Sequence, residues 1–172
     1  KNTNSCNFLQ RGGDGSSSAI QLRSLAKRYS TVYIDGVKMS DPSSVSNDFD
    51  FNHILKNQIS RVEILKGNQS SVYGSGAIGG TINIITKKGE QGFQKNIDYN
   101  TGSHGTKNLS FSLSGADEND NFYIGLERFQ TDGISQMTHN DEKDRYRNNS
   151  LATNYSHDFS DKLNFQSNIR IA

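Results

Sequence analysis

Tyr73–Lys88 reads YGSGAIGGTINIITKK. Within it Gly74, Gly76 and Gly79 have the G-x-G-x-x-G spacing that cradles a pyrophosphate. That spacing binds phosphate only where it joins a strand to a helix N-terminus. Here Gly80 leads into Thr81-Ile82-Asn83-Ile84-Ile85-Thr86, a β-branched run that reads as a strand. No amphipathic helix pattern comes after it, and no acidic residue closes a second parallel strand about 20 positions on. A dinucleotide enzyme fails on this context, so the glycines need another explanation.

Working outward, Ile59–Lys66 is a further strand that stops at Gly67. Thr31–Asp35 and Ala19–Arg23 alternate with period two and predict short strands. Asp35-Gly36 is a hairpin dipeptide, with Val37–Met39 as the returning strand. Phe51–Gln58 is expected to form a short helix capped by Asp50 or Asn52. From Asn68 to Gly80, glycines and serines permit closely packed backbone. This half predicts a small α+β domain.

Composition narrows the class. Of 172 residues only 31% are hydrophobic, which is poor for a compact soluble core. A net charge of +1 supplies no basic field for nucleic acid, and neither end carries an acidic or basic tail. The apolar runs are too short for a transmembrane helix. A membrane remains open, because barrel strands alternate apolar with polar residues and are hydrophilic on average. Cys6 is single, so it forms no internal disulfide, and it fits no metal motif. Lys1-Asn2-Thr3 is neither a signal peptide nor a natural start, and the chain is expected to be a fragment.

After Lys87-Lys88-Gly89 the texture changes. Phe93, Ile97 and Tyr99 alternate with Gln94, Asn96 and Asp98; Leu109, Phe111 and Leu113 alternate with serines. Phe122, Ile124 and Leu126 repeat the pattern, then Leu151 and Tyr155, then Leu163, Phe165, Ile169 and Ile171. Either an outer-membrane barrel or a soluble antiparallel sheet with one wet face has this signature. The connections at 102–105, 116–121 and 157–162 are short, while 131–145 is long and polar. Barrels have short periplasmic turns and longer outer loops. If the first strand rises from the periplasm, the long connection falls outside.

Two segments now carry a resemblance: AIQLRSLAKRYSTVYIDGVKMSD (19–41) and ISRVEILKGNQSSVYGSGAIGGTINIITKKG (59–89). In order and spacing they resemble the plug domain of TonB-dependent outer-membrane receptors. The matches are Arg23, Ile34–Val37, Arg61–Glu63, Gly67, Ser71, Tyr73-Gly74 and Ala77–Thr86. Ser24 stands where the family usually has Gly, and Asn68 where it usually has Pro, which puts the local turns in question. In this reading the glycine-rich stretch ends the plug, where small residues let backbone approach its neighbours.

The resemblance implies a plug at 1–89, truncated at its N-terminus, and about five strands of a 22-stranded antiparallel transmembrane β-barrel at 90–172. It implies a transporter and not an enzyme: a receptor in the outer membrane of a Gram-negative bacterium. TonB would pull on a segment missing from this chain, and outer-membrane lipid would surround the strands. The plug and the run from Thr131 to Phe165 look most like the vitamin B12 receptor group. Ferric siderophore or haem receptors of the same fold are the alternative, and a soluble β-rich binding module is a distant one.

In that reading two plug loops touch the ligand. One is Arg11, Gly12, Gly13, Asp14, Gly15 and Ser16; the other begins at Ser40 and Asp41 and runs to Asp48. Glycine amides, hydroxyls and an arginine can hydrogen-bond the amide-rich rim of a corrinoid, and could serve a siderophore equally. No cofactor is required. Asp132, Asp141, Glu142 and Asp144 offer oxygen ligands for calcium in the outer loop, among interleaved Lys143, Arg145 and Arg147. His104, His139 and His157 are dispersed. Tyr99, Tyr123, Tyr155 and Phe165 are candidates for interfacial girdles.

Overall fold

The computed structural model describes residues 6–10, 12–23, 25–41, 49–54, 56–135 and 142–172. The chain divides into two units: Lys1–Gly12, Ser16–Asn52 and Ile59–Thr86 in the first; Gly13–Gly15, His53–Gln58 and Lys87–Ala172 in the second.

In the first unit β1 (Cys6–Gln10) and β2 (Ser18–Leu22) form an antiparallel pair. The unit also holds a four-stranded sheet, built from β3 (Ser30–Ile34), β4 (Val37–Met39), β5 (Ile59–Lys66) and β6 (Gly80–Thr86) in the order β4-β3-β6-β5. β3 and β6 are parallel, with Ser30 opposite Gly80 and Ile34 opposite Ile84. As central strands they bury both faces. Val32, Ile34, Ile82 and Ile84 make the core, and the buried Thr31 and Thr81 hydroxyls satisfy each other at 3.2 Å.

The Asp35-Gly36 hairpin has φ of 49° and 82°, the doubly positive pattern of a type I′ turn. Asp35 also fastens the exit of β6. Its carboxylate accepts from the Thr86 N–H at 2.9 Å and the Thr86 hydroxyl at 2.6 Å. On β5, Arg61 Nε donates to Glu63 at 2.7 Å and Asn83 Nδ2 donates to its other oxygen at 3.2 Å. The guanidinium first, then the amide, holds the Glu63 carboxyl below its ordinary value.

Two expectations change in detail. Phe51–Gln58 is not one helix but two 3-10 turns, Phe51–His53 and Lys56–Gln58. Asp50 does act as the cap, accepting the Asn52 N–H at 3.1 Å, yet the same oxygen takes the Ser18 N–H and hydroxyl at 3.2 and 2.9 Å. Sharing the carboxylate with β2 anchors the first turn to the sheet. Asn68 builds its own turn: its side chain accepts the Ser70 N–H at 2.9 Å and hydroxyl at 2.6 Å, starting the single turn α1 (Ser70–Tyr73). Ser24 lies outside the described residues.

The glycine spacing is steric. Gly79 leads into β6 and not into a helix. A Cβ on Gly79 would meet the Tyr29 carbonyl at 3.1 Å, and one on Gly80 (φ +147°) the Leu65 carbonyl at 2.4 Å.

The second unit is an antiparallel meander: β7 (Gly92–Thr101), β8 (Lys107–Ala116), β9 (Asp120–Thr131), β10 (Tyr146–Ser160) and β11 (Leu163–Ile171). The register aligns Ile97 with Phe111, Phe111 with Leu126, Leu126 with Leu151, and Leu151 with Ile171. Every apolar residue of the alternating pattern therefore shares one face, and most of that face is exposed. Lys95 interrupts it and lays its ammonium 5.1 Å over the Phe93 ring. Tyr123 departs from the girdle expectation. Odd positions of β9 point to the other face, where Tyr123 is buried and donates its hydroxyl to the Asn57 carbonyl at 3.1 Å.

Candidate functional site

The polar face of the meander carries a second composition, concentrated at the end that bears the long 132–145 connection. There Phe129 lies opposite Asn108 and Asn148, and Thr131 opposite Tyr146. The Phe129 and Tyr146 rings sit 6.0 Å apart. Asn148 donates to the Tyr146 hydroxyl at 3.1 Å and accepts from Ser150 at 2.9 Å. An aromatic pair is thus held in place by amide and hydroxyl groups.

Gly13–Gly15 cluster with these strands. Gly15 has φ +85°, and a Cβ there would stand 2.2 Å from Tyr146 Cδ2. Only glycine fits, first for its backbone and then for the ring against it. Asp14 beside it is exposed. The loop's other end is tied within the first unit, where Asn52 Nδ2 donates to the Ser16 carbonyl. Gly12 (φ +127°) turns the chain out of β1. Ser40 and Asp41 come directly after β4, while Arg11 and 42–48 lie outside the described residues.

Above the aromatic pair the rim is knotted by short-range bonds. Thr106 donates its hydroxyl to Thr131 at 3.0 Å, and Asp132 N–H bonds to the His104 carbonyl at 2.9 Å. The Asp132 carboxylate faces Arg145 Nε at 3.7 Å and Lys143 Nζ at 4.0 Å. Of the expected calcium ligands, Asp141 lies outside the described residues. Among the described residues no group of three or more His, Cys, Asp or Glu is placed to hold a metal ion. His157 instead meets Asp120 at 2.8 Å, at the opposite end of the strands.

The structure brings Gly13–Gly15 to a partner that sequence reasoning missed. Tyr146 and Phe129 occupy positions where alternation calls for polar side chains. That break in parity was the available signal. Chemically, the arrangement offers ring faces, glycine amides and hydroxyls, a surface for holding a bulky, hydrogen-bonding molecule.

Residues 1–81 match the family model of the TonB-dependent Receptor Plug Domain. Over 168 residues the chain is 30% identical to the vitamin B12 transporter BtuB of Vibrio vulnificus, covering 94% of this chain and 26% of that protein. It superposes on a ferric enterobactin receptor mutant of Pseudomonas aeruginosa in complex with enterobactin, with a TM-score of 0.72 at 21% identity. That match covers 94% of this chain and 28% of the other. The pyoverdine outer membrane receptor FpvA of the same species gives a TM-score of 0.73 at 18% identity, over 95% of this chain and 23% of its own. The chain thus spans about a quarter of the length of these relatives. At such identities the superpositions establish the fold.

Proposed function

From the premise that this chain carries a TonB-dependent receptor plug and strands of that fold, we propose that it is part of an outer-membrane receptor of a Gram-negative bacterium that takes up cobalamin. Residues 1–89 form the plug and 90–172 the opening strands of the barrel. The receptor captures a scarce, bulky nutrient at the outer face, and the TonB complex supplies the energy for its passage. No covalent bond is made or broken in this cycle, so the protein is a transporter and not an enzyme.

The observation that supports cobalamin is the 30% identity to a vitamin B12 transporter, which runs through plug and strands alike. The site chemistry agrees with it. Gly13–Gly15 present backbone amides, and Phe129 and Tyr146 present rings, to a ligand rimmed with amides. Calcium ordering of the outer loop through Asp132, Asp141, Glu142 and Asp144 belongs to the same proposal; it would have to displace Lys143 and Arg145 from Asp132. A ferric siderophore is the second reading, favoured by the fold match to enterobactin and pyoverdine receptors.

The test uses the full-length receptor that contains this segment, in outer membranes lacking other receptors of its kind. Labelled cyanocobalamin is titrated with and without calcium, beside a panel of ferric siderophores. Saturable cobalamin binding that Gly15→Val abolishes supports the reading. Saturable siderophore binding without cobalamin binding replaces the ligand and keeps the transporter.

A further inference from the structure

Asp-Gly occurs three times in the chain, at Asp14-Gly15, Asp35-Gly36 and Asp132-Gly133. The pair has a chemistry of its own. The glycine nitrogen can attack the aspartyl side-chain carbon, because the glycine carries no side chain to shield it. For this the carboxyl must be free to turn back and take up a proton. The glycine N–H must be free too, and the backbone between them must be able to rotate. The fold grants these conditions unequally.

Asp35 is fastened. Its N–H donates to the Ile84 carbonyl at 3.0 Å, and its two carboxylate oxygens accept from the Thr86 N–H and hydroxyl. Pairing of Ile34 with Val37 closes the hairpin around it. Asp132 is held by a different set of groups. Its N–H donates to the His104 carbonyl, and the Gly133 N–H donates to the Thr131 hydroxyl oxygen at 3.1 Å. Arg145 and Lys143 face its carboxylate at 3.7 and 4.0 Å and favour the anion, which is a poor target for a nucleophile.

Asp14 has none of these restraints. Its side chain is exposed, and no hydrogen bond or ion pair holds it among the described residues. The Gly15 N–H likewise has no acceptor among the described residues. Asp14 and Gly15 are the centre of a turn that Gly12 and Gly13 lead into, and glycines let the backbone rotate at little steric cost.

We infer that Asp14-Gly15 is a site of spontaneous isoaspartyl formation, modified ahead of the other two Asp-Gly pairs of the chain. In the first step a bond forms between the Gly15 nitrogen and Asp14 Cγ. The Asp14 Cγ–OH bond breaks, and the hydroxyl leaves as water with the proton from the Gly15 nitrogen, giving a cyclic succinimide. In the second step water adds to the ring. Cleavage of the Cγ–N bond restores aspartate. Cleavage between the main-chain carbonyl carbon and the nitrogen leaves an isoaspartyl link, with the chain routed through Cβ. The product has one more main-chain carbon ahead of Gly15, whose place against the Tyr146 ring leaves no room even for a Cβ. Isomerisation therefore lifts the glycine off the ring. The modification does not depend on which ligand the receptor carries.

The experiment ages the full-length receptor in detergent, at neutral pH, in water enriched in heavy oxygen. A second sample is aged in denaturant. Both are digested in ordinary water, and each Asp-Gly peptide is read by mass spectrometry, with electron-transfer fragmentation to separate isoaspartyl from aspartyl links. In the folded receptor, heavy oxygen and isoaspartate should accumulate at Asp14 several-fold faster than at Asp35 or Asp132. In denaturant the three pairs should react at similar rates. Asp14→Glu, whose longer side chain closes a less favourable ring, should remove the product at that position. K143Q/R145Q should speed the reaction at Asp132 and leave Asp14 unchanged. Equal rates at the three pairs of the folded receptor overturn the inference. So does absence of label at Asp14 in the folded receptor while the denatured sample reacts.

Discussion

The plug sheet and the meander are written in the same two-residue period and mean opposite things by it. In β3 and β6 the branched residues are sealed away: Ile82 is 0% and Ile84 2% exposed. In β7 the equivalent residue type is open, with Ile97 at 69%. On the meander it is the small and polar positions that are buried, such as Ser110, Ser150 and Ala152. One unit hides its branched residues and the other turns them outward, the arrangement a sheet with hydrocarbon on one side requires. An average hydropathy over the whole chain cannot register this. Only the side of the strand on which each apolar residue falls distinguishes the two.

The strongest way to break the contrast is to remove the same side chain from both sheets of the full-length receptor. Ile82→Ala should cost about 2–5 kcal/mol by opening a cavity among close-packed neighbours. Ile97→Ala, with nothing packed over it, should stay within about 0.5 kcal/mol. Denaturant unfolding of both variants measures the difference, and equal losses would erase it. Ile124→Arg, in the middle of the apolar belt, is expected to cost about 2–4 kcal/mol of barrel stability in lipid. Asn96→Arg, on the polar face of β7, should change it by no more than about 0.5 kcal/mol.

Smaller effects sharpen the plug side. Asp35→Ala removes both bonds to Thr86 and should cost about 1.5–3 kcal/mol, read as faster proteolysis after Thr86. Glu63 gives the least. Its folded pKa lies below the ordinary 4.5, so its contribution is complete above that value. It is lost as pH falls from 4.5 through the folded pKa. Melting temperature should drop slightly more between pH 5 and pH 3 in the wild type than in Glu63→Gln.

Much of this architecture is local and was readable as such. Val37–Met39 and Ile59–Lys66 form strands at the bounds their sequence predicts, because alternation and the flanking Gly36 and Gly67 leave few alternatives. The apolar face of the meander comes from parity alone. Phe51–Gln58 was harder, since its turns depend on Asp50 reaching Ser18, 32 residues away. The pairing of Gly15 with Tyr146 depends on packing across most of the chain, and no window of sequence contains both.

The central claim, that one face of these strands lies in lipid, can be measured on β9 alone. Single cysteines are introduced at Phe122, Tyr123, Ile124, Gly125, Leu126 and Glu127 in a Cys6→Ser full-length receptor, labelled with a fluorophore, and reconstituted in bilayers containing brominated lipid. Quenching should be strong at 122, 124 and 126 and weak at 123, 125 and 127. Uniform quenching, or none at 124, would contradict the assignment and return the meander to an ordinary sheet facing water.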